Sequence, residues 1–185
     1  MLEDIYITIA ILITLMFLDY FLTLKGFKLY KKRYSKYVEV ESYELNPKLK
    51  YYIKEGKYSF GHLMGVILVS AIVYGFHYIG RNNLLGLGMW VFFLIQGMLF
   101  SIFVYLNSIH IQNIIIFNAV NKNPSMLSGK LKRKYLFSLK AGSARALEVF
   151  LILLFVFIMV PNSFTLGFAL GPLVMLLKLR CWVKK

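Results

Sequence analysis

Five stretches of the chain are apolar almost throughout, and polar or basic stretches separate them. The first covers residues 5–24, and twenty residues of helix reach about 30 Å, the thickness of a bilayer's hydrocarbon core. The second, 60–79, ends at Gly80-Arg81-Asn82-Asn83, which reads as a short turn. The third starts at Leu84, stays apolar to Leu106, then continues in a mixed pattern as NSIHIQNIIIFNAV to Val120. A single helix of that length would reach about 55 Å, so its far end is expected to tilt, bend or project beyond the membrane. Residues 146–160 and 164–179 flank Pro161-Asn162-Ser163. Each is short for a span, about 22–24 Å as helix, so a hairpin competes with one kinked, over-long helix.

Between the first two runs, Phe27, Tyr30, Tyr34 and Tyr37 recur at spacings of three and four, with Lys28, Lys31, Lys32, Arg33 and Lys36 among them. This pattern predicts a cationic helix with one aromatic stripe, lying in the headgroup region. Asn46-Pro47 ends it, because proline drives the preceding residue out of the helical region. Small residues four apart, Gly61/Gly65, Gly97/Ser101 and Gly167/Gly171, allow close approach of membrane helices.

Charge decides between hairpin and kinked helix. Residues 25–57 hold ten Lys/Arg against four Glu, residues 121–145 hold seven with no acid, and the C-terminal tail holds four. With five spans, all of these lie on one side and Arg81 alone on the other, and the positive-inside rule makes the basic side cytoplasmic. The expectation is therefore an all-α bundle, one integral membrane domain of five transmembrane helices in the cell membrane. Its N-terminus lies outside, its C-terminus in the cytoplasm, and 25–57 and 121–145 form basic cytoplasmic loops. The start, Met-Leu-Glu-Asp, is acidic and no small-residue cleavage site follows the first run, so that run is expected to be a true span rather than a secretory signal.

Composition agrees. Of the 185 residues 59% are hydrophobic, above the roughly 45–50% of soluble domains, and the length leaves no room for a separate soluble module. One cysteine, Cys181, rules out a disulfide framework or a cysteine metal cluster within one chain. It reads as a free thiol at the membrane surface, with palmitoylation as the sharper alternative.

Threading that topology brings the polar residues to one depth, at the basic end. Asp19 and Thr23 close the first span, His62 opens the second, and Asn107 and His110 lie where the third leaves the membrane, on a face shared with Asn118 and Asn121. Glu148 falls about one turn into the fourth span, and Glu44 and Asn46 lie on the intervening loop. An intramembrane carboxylate is costly and marks function by default. Asp19 is too short to snorkel far, so it is expected to face the bundle and meet His62, Asn107 or His110.

Three readings fit this layer: interfacial polarity, with Glu148 paired to Arg145; a metal or acid–base site; and a proton or ion path through Asp19. In the second, Asp19, Glu44, His62, His110 and Glu148 are the catalytic candidates and Thr23, Asn46 and Asn107 bind. A divalent metal would then fall to His62, His110 and Asp19. No HExxH, CxxC, GxSxG or Walker-type loop is present. His77 reads as an interfacial histidine near the other end of the second span.

Asp19-x-x-x-Thr23 followed by Glu44-x-Asn46-Pro47 resembles a signature of small uncharacterised prokaryotic multi-spanning membrane proteins. The resemblance covers roughly the first fifty residues. It implies that Asp19, Thr23, Glu44 and Asn46 act as a set, and it implies no activity. The Lys-, Ile-, Tyr- and Asn-rich composition is compatible with an AT-rich prokaryotic genome.

The functional expectation is a binding or assembly protein acting through its basic face, with Lys31, Lys32, Arg33, Lys132, Arg133 and Lys134 as contacts for anionic membrane lipid or an acidic protein partner. Nucleic acid is disfavoured, because topology already explains basic and aromatic residues beside membrane spans. The alternatives are a membrane-embedded hydrolase or transferase using the Asp/Glu/His layer, and a small proton- or ion-coupled transporter.

Overall fold

The computed structural model describes residues 4–40, 49–86 and 88–183. Within them the chain is helical apart from two three-residue strands, with element order α1 (Ile5–Lys32), β1 (Val38–Val40), α2 (Lys50–Glu55), α3 (Phe60–Arg81), α4 (Gly88–Lys122), β2 (Leu131–Arg133), α5 (Tyr135–Met159) and α6 (Ser163–Val183). Five of the helices, all but α2, are long and apolar enough to cross a membrane. The short turn at Val160-Pro161-Asn162 separates α5 from α6, which pack against each other as a hairpin. Asn162 closes that turn by accepting from the Thr165 amide (2.9 Å).

The helix ends follow local chemistry. Asp4 caps α1, its carboxylate accepting from the amides of Tyr6 (2.8 Å) and Ile7 (3.2 Å), a contact that satisfies amides left free at a helix start. Gly56 ends α2 in the left-handed conformation (φ 68°), where glycine meets no steric cost.

Helix α4 is the hub, packing on α1, α3 and α6. Polar contacts tie it to α1 at rising positions on both helices: Thr8 to Gln96, Leu15 to Asn107, Thr23 to His110, Leu29 to Asn121. The two helices therefore run parallel. Against α6 the contact is backbone to backbone. A Cβ on Gly97 would strike the Phe164 carbonyl, one on Gly167 the Leu94 carbonyl, and one on Gly171 the Ser101 hydroxyl. The Gly97/Ser101 and Gly167/Gly171 pairs thus meet each other, also in parallel, as small residues let helices do. Gly61 and Gly65 behave differently: among the described residues a Cβ at Gly61 would meet only Ser59 of its own segment, and one at Gly65 would meet nothing within 4 Å.

The segment after residue 24 departs from expectation. No separate interfacial helix forms; α1 continues unbroken to Lys32. The aromatic stripe faces protein instead of lipid, with Tyr30 and Tyr34 on Phe117 at 5.9 and 4.6 Å between ring centroids. The cause is the over-long α4, about 52 Å as helix, whose projecting end offers α1 an apolar surface. The Tyr30 hydroxyl then donates to the Val38 carbonyl (3.0 Å) and accepts from the Val40 amide (3.1 Å). So held, β1 pairs in parallel with β2, Glu39 opposite Lys132 and Val40 opposite Arg133. The other basic stretch is also more ordered than a loop, since α5 begins at Tyr135.

Burial follows this plan. Leu12, Val73, Phe92 and Phe100 form one apolar cluster, and Tyr105, Ala146 and Leu176 a second toward the basic end. Large apolar side chains stand exposed along α3 (Ile67, Leu68, Ile72) and α5 (Leu151, Ile152, Phe155), as suits a protein whose solvent is hydrocarbon. His77 is buried, its ring edge-on to Phe92 at 5.0 Å.

Because Gly167 has a carbonyl where a methyl would go, Gly167→Ala should cost about 1–3 kcal/mol, and Gly65→Ala should change stability by no more than about 0.5 kcal/mol. Reversible unfolding in mixed micelles compares the two. Equal effects would mean that the α4–α6 crossing is not tight.

Candidate functional site

Three of the sequence-selected residues come together where α1 and α4 meet near the basic end. The Thr23 hydroxyl donates to the Asp19 carbonyl (2.8 Å), one turn back on α1. Its oxygen lies 3.0 Å from Nε2 of His110 on α4. The same Nε2 lies 3.2 Å from Oδ1 of Asp19. Nε2 thus lies between the Thr23 hydroxyl and the Asp19 carboxylate, whose Oδ1 has no hydrogen-bond partner among the described residues. Nδ1 of His110 is buried and has no partner among the described residues. The imidazole is therefore held at one nitrogen only.

That arrangement is not a nucleophilic triad. Such a relay needs the hydroxyl on one imidazole nitrogen and the carboxylate on the other. Here both sit on Nε2.

The pair opens on a cavity of about 220 Å³ between α1, α4 and α6, with α2 against it. Its walls are mostly apolar, including Ile53, Leu106, Ile109, Met175, Leu179 and Trp182, while Asp19, Thr23, His110 and Asn113 supply the polar surface. Lys178 also lines it, its ammonium 5.1 Å above the Trp182 ring. This volume is below the roughly 300–1,000 Å³ of pockets for drug-sized ligands and suits part of one alkyl chain.

The other candidates do not join this contact. His62 sits in an aromatic nest, 4.6 Å from Tyr20 and 6.1 Å from Phe17 between ring centroids. Asn107 bridges helices, its amide donating to the carbonyls of Leu15 (3.0 Å) and Phe103 (2.9 Å). Asn118 is exposed, one turn before Asn121 on the same helix. Glu148 is exposed on α5, and it makes no ion pair with Arg145 among the described residues. Glu44 and Asn46 lie outside the described residues.

The metal expectation does not fit these positions. Among the described residues, no three His, Cys, Asp or Glu side chains gather as a metal site. The proposed set of His62, His110 and Asp19 divides, because the aromatic nest holds His62 while His110 and Asp19 face each other across α1 and α4.

The basic candidates line the same end. Lys31, Lys32 and Arg33 are exposed at the end of α1, with Lys31 over the Phe27 ring (4.7 Å) and Arg33 donating to the Asn121 carbonyl (3.2 Å). Lys132 and Arg133 lie in β2, and Lys134 is exposed just after it.

Sequence reading passed over the Thr8–Gln96 hydrogen bond (2.7 Å), fully buried between α1 and α4. It also passed over Asn113, Lys178 and Trp182 at the cavity. A glutamine inside an apolar run is the signal that could have found the first; the cavity residues carry none, because they come from different helices.

Together these features define a five-helix, membrane-type bundle with an aspartate–histidine contact beside an apolar chamber. The chain matches no protein family, and no curated protein or solved structure is measurably similar to it.

Hydrogen bonds between membrane helices couple by about 0.6 kcal/mol on average and up to about 1.7 kcal/mol. The Asp19–His110 contact is charge-assisted whenever the ring is protonated, so a double-mutant cycle of Asp19→Asn and His110→Gln should give coupling near the upper figure. The Thr8→Val and Gln96→Leu cycle should give the average. Zero coupling between Asp19 and His110 in reversible unfolding would remove the pair as a unit.

Proposed function

We propose that the chain is a multi-pass protein of the cell membrane whose cytoplasmic face binds anionic amphiphiles, holding the anionic head on the basic end and part of one apolar chain in the cavity. The observation that carries this reading is the pairing of β1 with β2. It joins two basic segments almost a hundred residues apart at the end of the bundle toward which Lys178 also lies, at the chamber. Each Lys or Arg near an anionic surface contributes about 1 kcal/mol, and the apolar walls add the burial of a chain. An acidic protein partner is the other occupant that this surface suits.

In this reading the N-terminus is outside and the basic ends of α1, α4 and α6 face the cytoplasm. A cysteine at Ser163, in a Cys181→Ser background, should then react with impermeant maleimide added from outside. Labelling from the cytoplasmic side alone would overturn the orientation.

A second reading draws on the bare Nδ1 of His110: acid–base chemistry or proton transfer on a substrate entering the same cavity. Asp19 would then hold the imidazolium. Turnover or proton flux lost in His110→Gln, with lipid binding intact, would favour it.

The two tryptophans make the primary reading measurable, because Trp182 stands at the cavity and Trp90 at the opposite end of the bundle. In a Trp90→Phe background, phosphatidylglycerol with brominated chains should quench Trp182 more strongly than brominated phosphatidylcholine. The preference should fall with salt, whose screening length is about 8 Å at physiological strength. Replacing Lys31, Lys32 and Arg33 with Gln should reduce the preference by about fivefold or more, against about 1 kcal/mol per cation at full strength. Equal, salt-insensitive quenching by both lipids would overturn the proposal.

A further inference from the structure

The chamber is layered along its depth. Gly171 of α6 stands against Ser101 of α4, and Leu176 clusters with Tyr105, which fixes the register of these two parallel helices. In that register Tyr105, Leu106 and Met175 wall the deep part of the chamber. Lys178 lies about two turns beyond Gly171, and His110 about two and a half turns beyond Ser101, so both reach nearly the same depth. Asp19 and Thr23 join His110 there from α1. Polar groups thus ring one level toward the basic end, and apolar walls lie beneath it.

That ring holds one charge of each sign. Asp19 and Lys178 both line the chamber, yet among the described residues they form no ion pair with each other. Lys178 is exposed, its ammonium over the Trp182 ring. Oδ1 of Asp19 is buried beside Nε2 of His110 without a hydrogen-bond partner among the described residues, while the side chain as a whole keeps 20% of its surface exposed. An ionised carboxylate accepts about four hydrogen bonds, so Asp19 brings unused acceptor capacity to the chamber. A head that is anionic and nothing else would meet it as a like charge. A ligand satisfies both sides of the ring when its head carries an anion for Lys178 and, beside that anion, a hydrogen-bond donor for Asp19. Resting on the amphiphile-binding reading above, we infer that the chamber selects anionic lipid with a hydroxylated head, of which phosphatidylglycerol is the simplest probe. Lys178 holds the phosphate, Asp19 accepts from a headgroup hydroxyl, and His110 positions the carboxylate from its other side. An ammonium could also donate to Asp19, but it cancels the lipid's charge, and the exposed cations of Lys31, Lys32 and Arg33 at the same end favour a head that stays negative.

The test uses the full chain with Trp90→Phe in phosphatidylcholine liposomes and reads quenching of Trp182 by brominated phosphatidylglycerol, phosphatidic acid and phosphatidylethanolamine. A phosphomonoester carries about −1.5 to −2 charges at neutral pH, so charge alone ranks phosphatidic acid first. The protein should instead bind phosphatidylglycerol about fivefold or more tightly than phosphatidic acid, the effect of one hydrogen bond to a charged acceptor, and more tightly than phosphatidylethanolamine. Asp19→Ala should abolish the preference for phosphatidylglycerol over phosphatidic acid while phosphatidic acid binds at least as well as before, which also shows that the variant folds. Asp19→Asn, nearly identical in shape but uncharged, should at least halve the preference, and it supplies the comparison if loss of the side chain loosens the bundle. Lys178→Gln should weaken both anionic lipids alike and leave their ratio unchanged. Equal quenching by brominated phosphatidylglycerol and phosphatidylcholine would strike the amphiphile reading itself. With that preference present, the inference alone is overturned if phosphatidic acid or phosphatidylethanolamine binds as tightly as phosphatidylglycerol, or if both Asp19 variants keep the wild-type ratio.

Discussion

A polar group on a buried helix in hydrocarbon has no water to turn to, so it must find its partner inside the protein. Helix α4 carries Gln96, Asn107, His110 and Asn121 toward α1, and each meets a group there. Those four contacts set α1 and α4 parallel and in one register. A slide of either helix would strand several polar groups at once. Further consequences follow from that register: both helices overrun the bilayer thickness at the same end, their aromatic side chains meet at Phe117, and the segments beyond come close enough for β1 to pair with β2.

The opposite side of α4 is held by a different force. Between helices in lipid there is no hydrophobic drive, so association needs close van der Waals contact or hydrogen bonds. Gly97, Gly167 and Gly171 remove the side chains that would keep α4 and α6 apart. The hub is thus bonded to α1 by polar side chains and to α6 by their absence. Helices α3 and α5 have large faces left for lipid or for another protein.

The same physics gives two carboxylates different fates. Asp19 lies where α1 and α4 converge, and the histidine it meets keeps its second nitrogen free beside an apolar chamber. Polar side chains converging beside an apolar cavity are the arrangement expected of a binding site. Glu148 is exposed on α5, and Arg145 stands one turn back on the same helix, also exposed. One carboxylate belongs to the interior of the bundle and the other to its surroundings.

The chain by itself determined much of this plan. Apolar runs of membrane length marked five helices, Pro161-Asn162 marked the break between the last two, and the small-residue pairs marked close packing. The depth of Asp19, too short to reach water, required a donor at that level. Tertiary structure alone decided which donor it was. His62, Asn107 and His110 were equal candidates, because periodicity shows which residues share one helix face but not which face meets which neighbour. Register gave Asp19 to His110, sent His62 among aromatic rings and turned Asn107 to the Leu15 carbonyl. The run from Phe27 to Tyr34 shows the same limit. Its stripe reads as a membrane-surface helix until the projecting end of α4 supplies protein for it to pack on. Whether an apolar or acidic face meets lipid or protein depends on neighbours dozens of residues away, and spacing within one segment carries no trace of them.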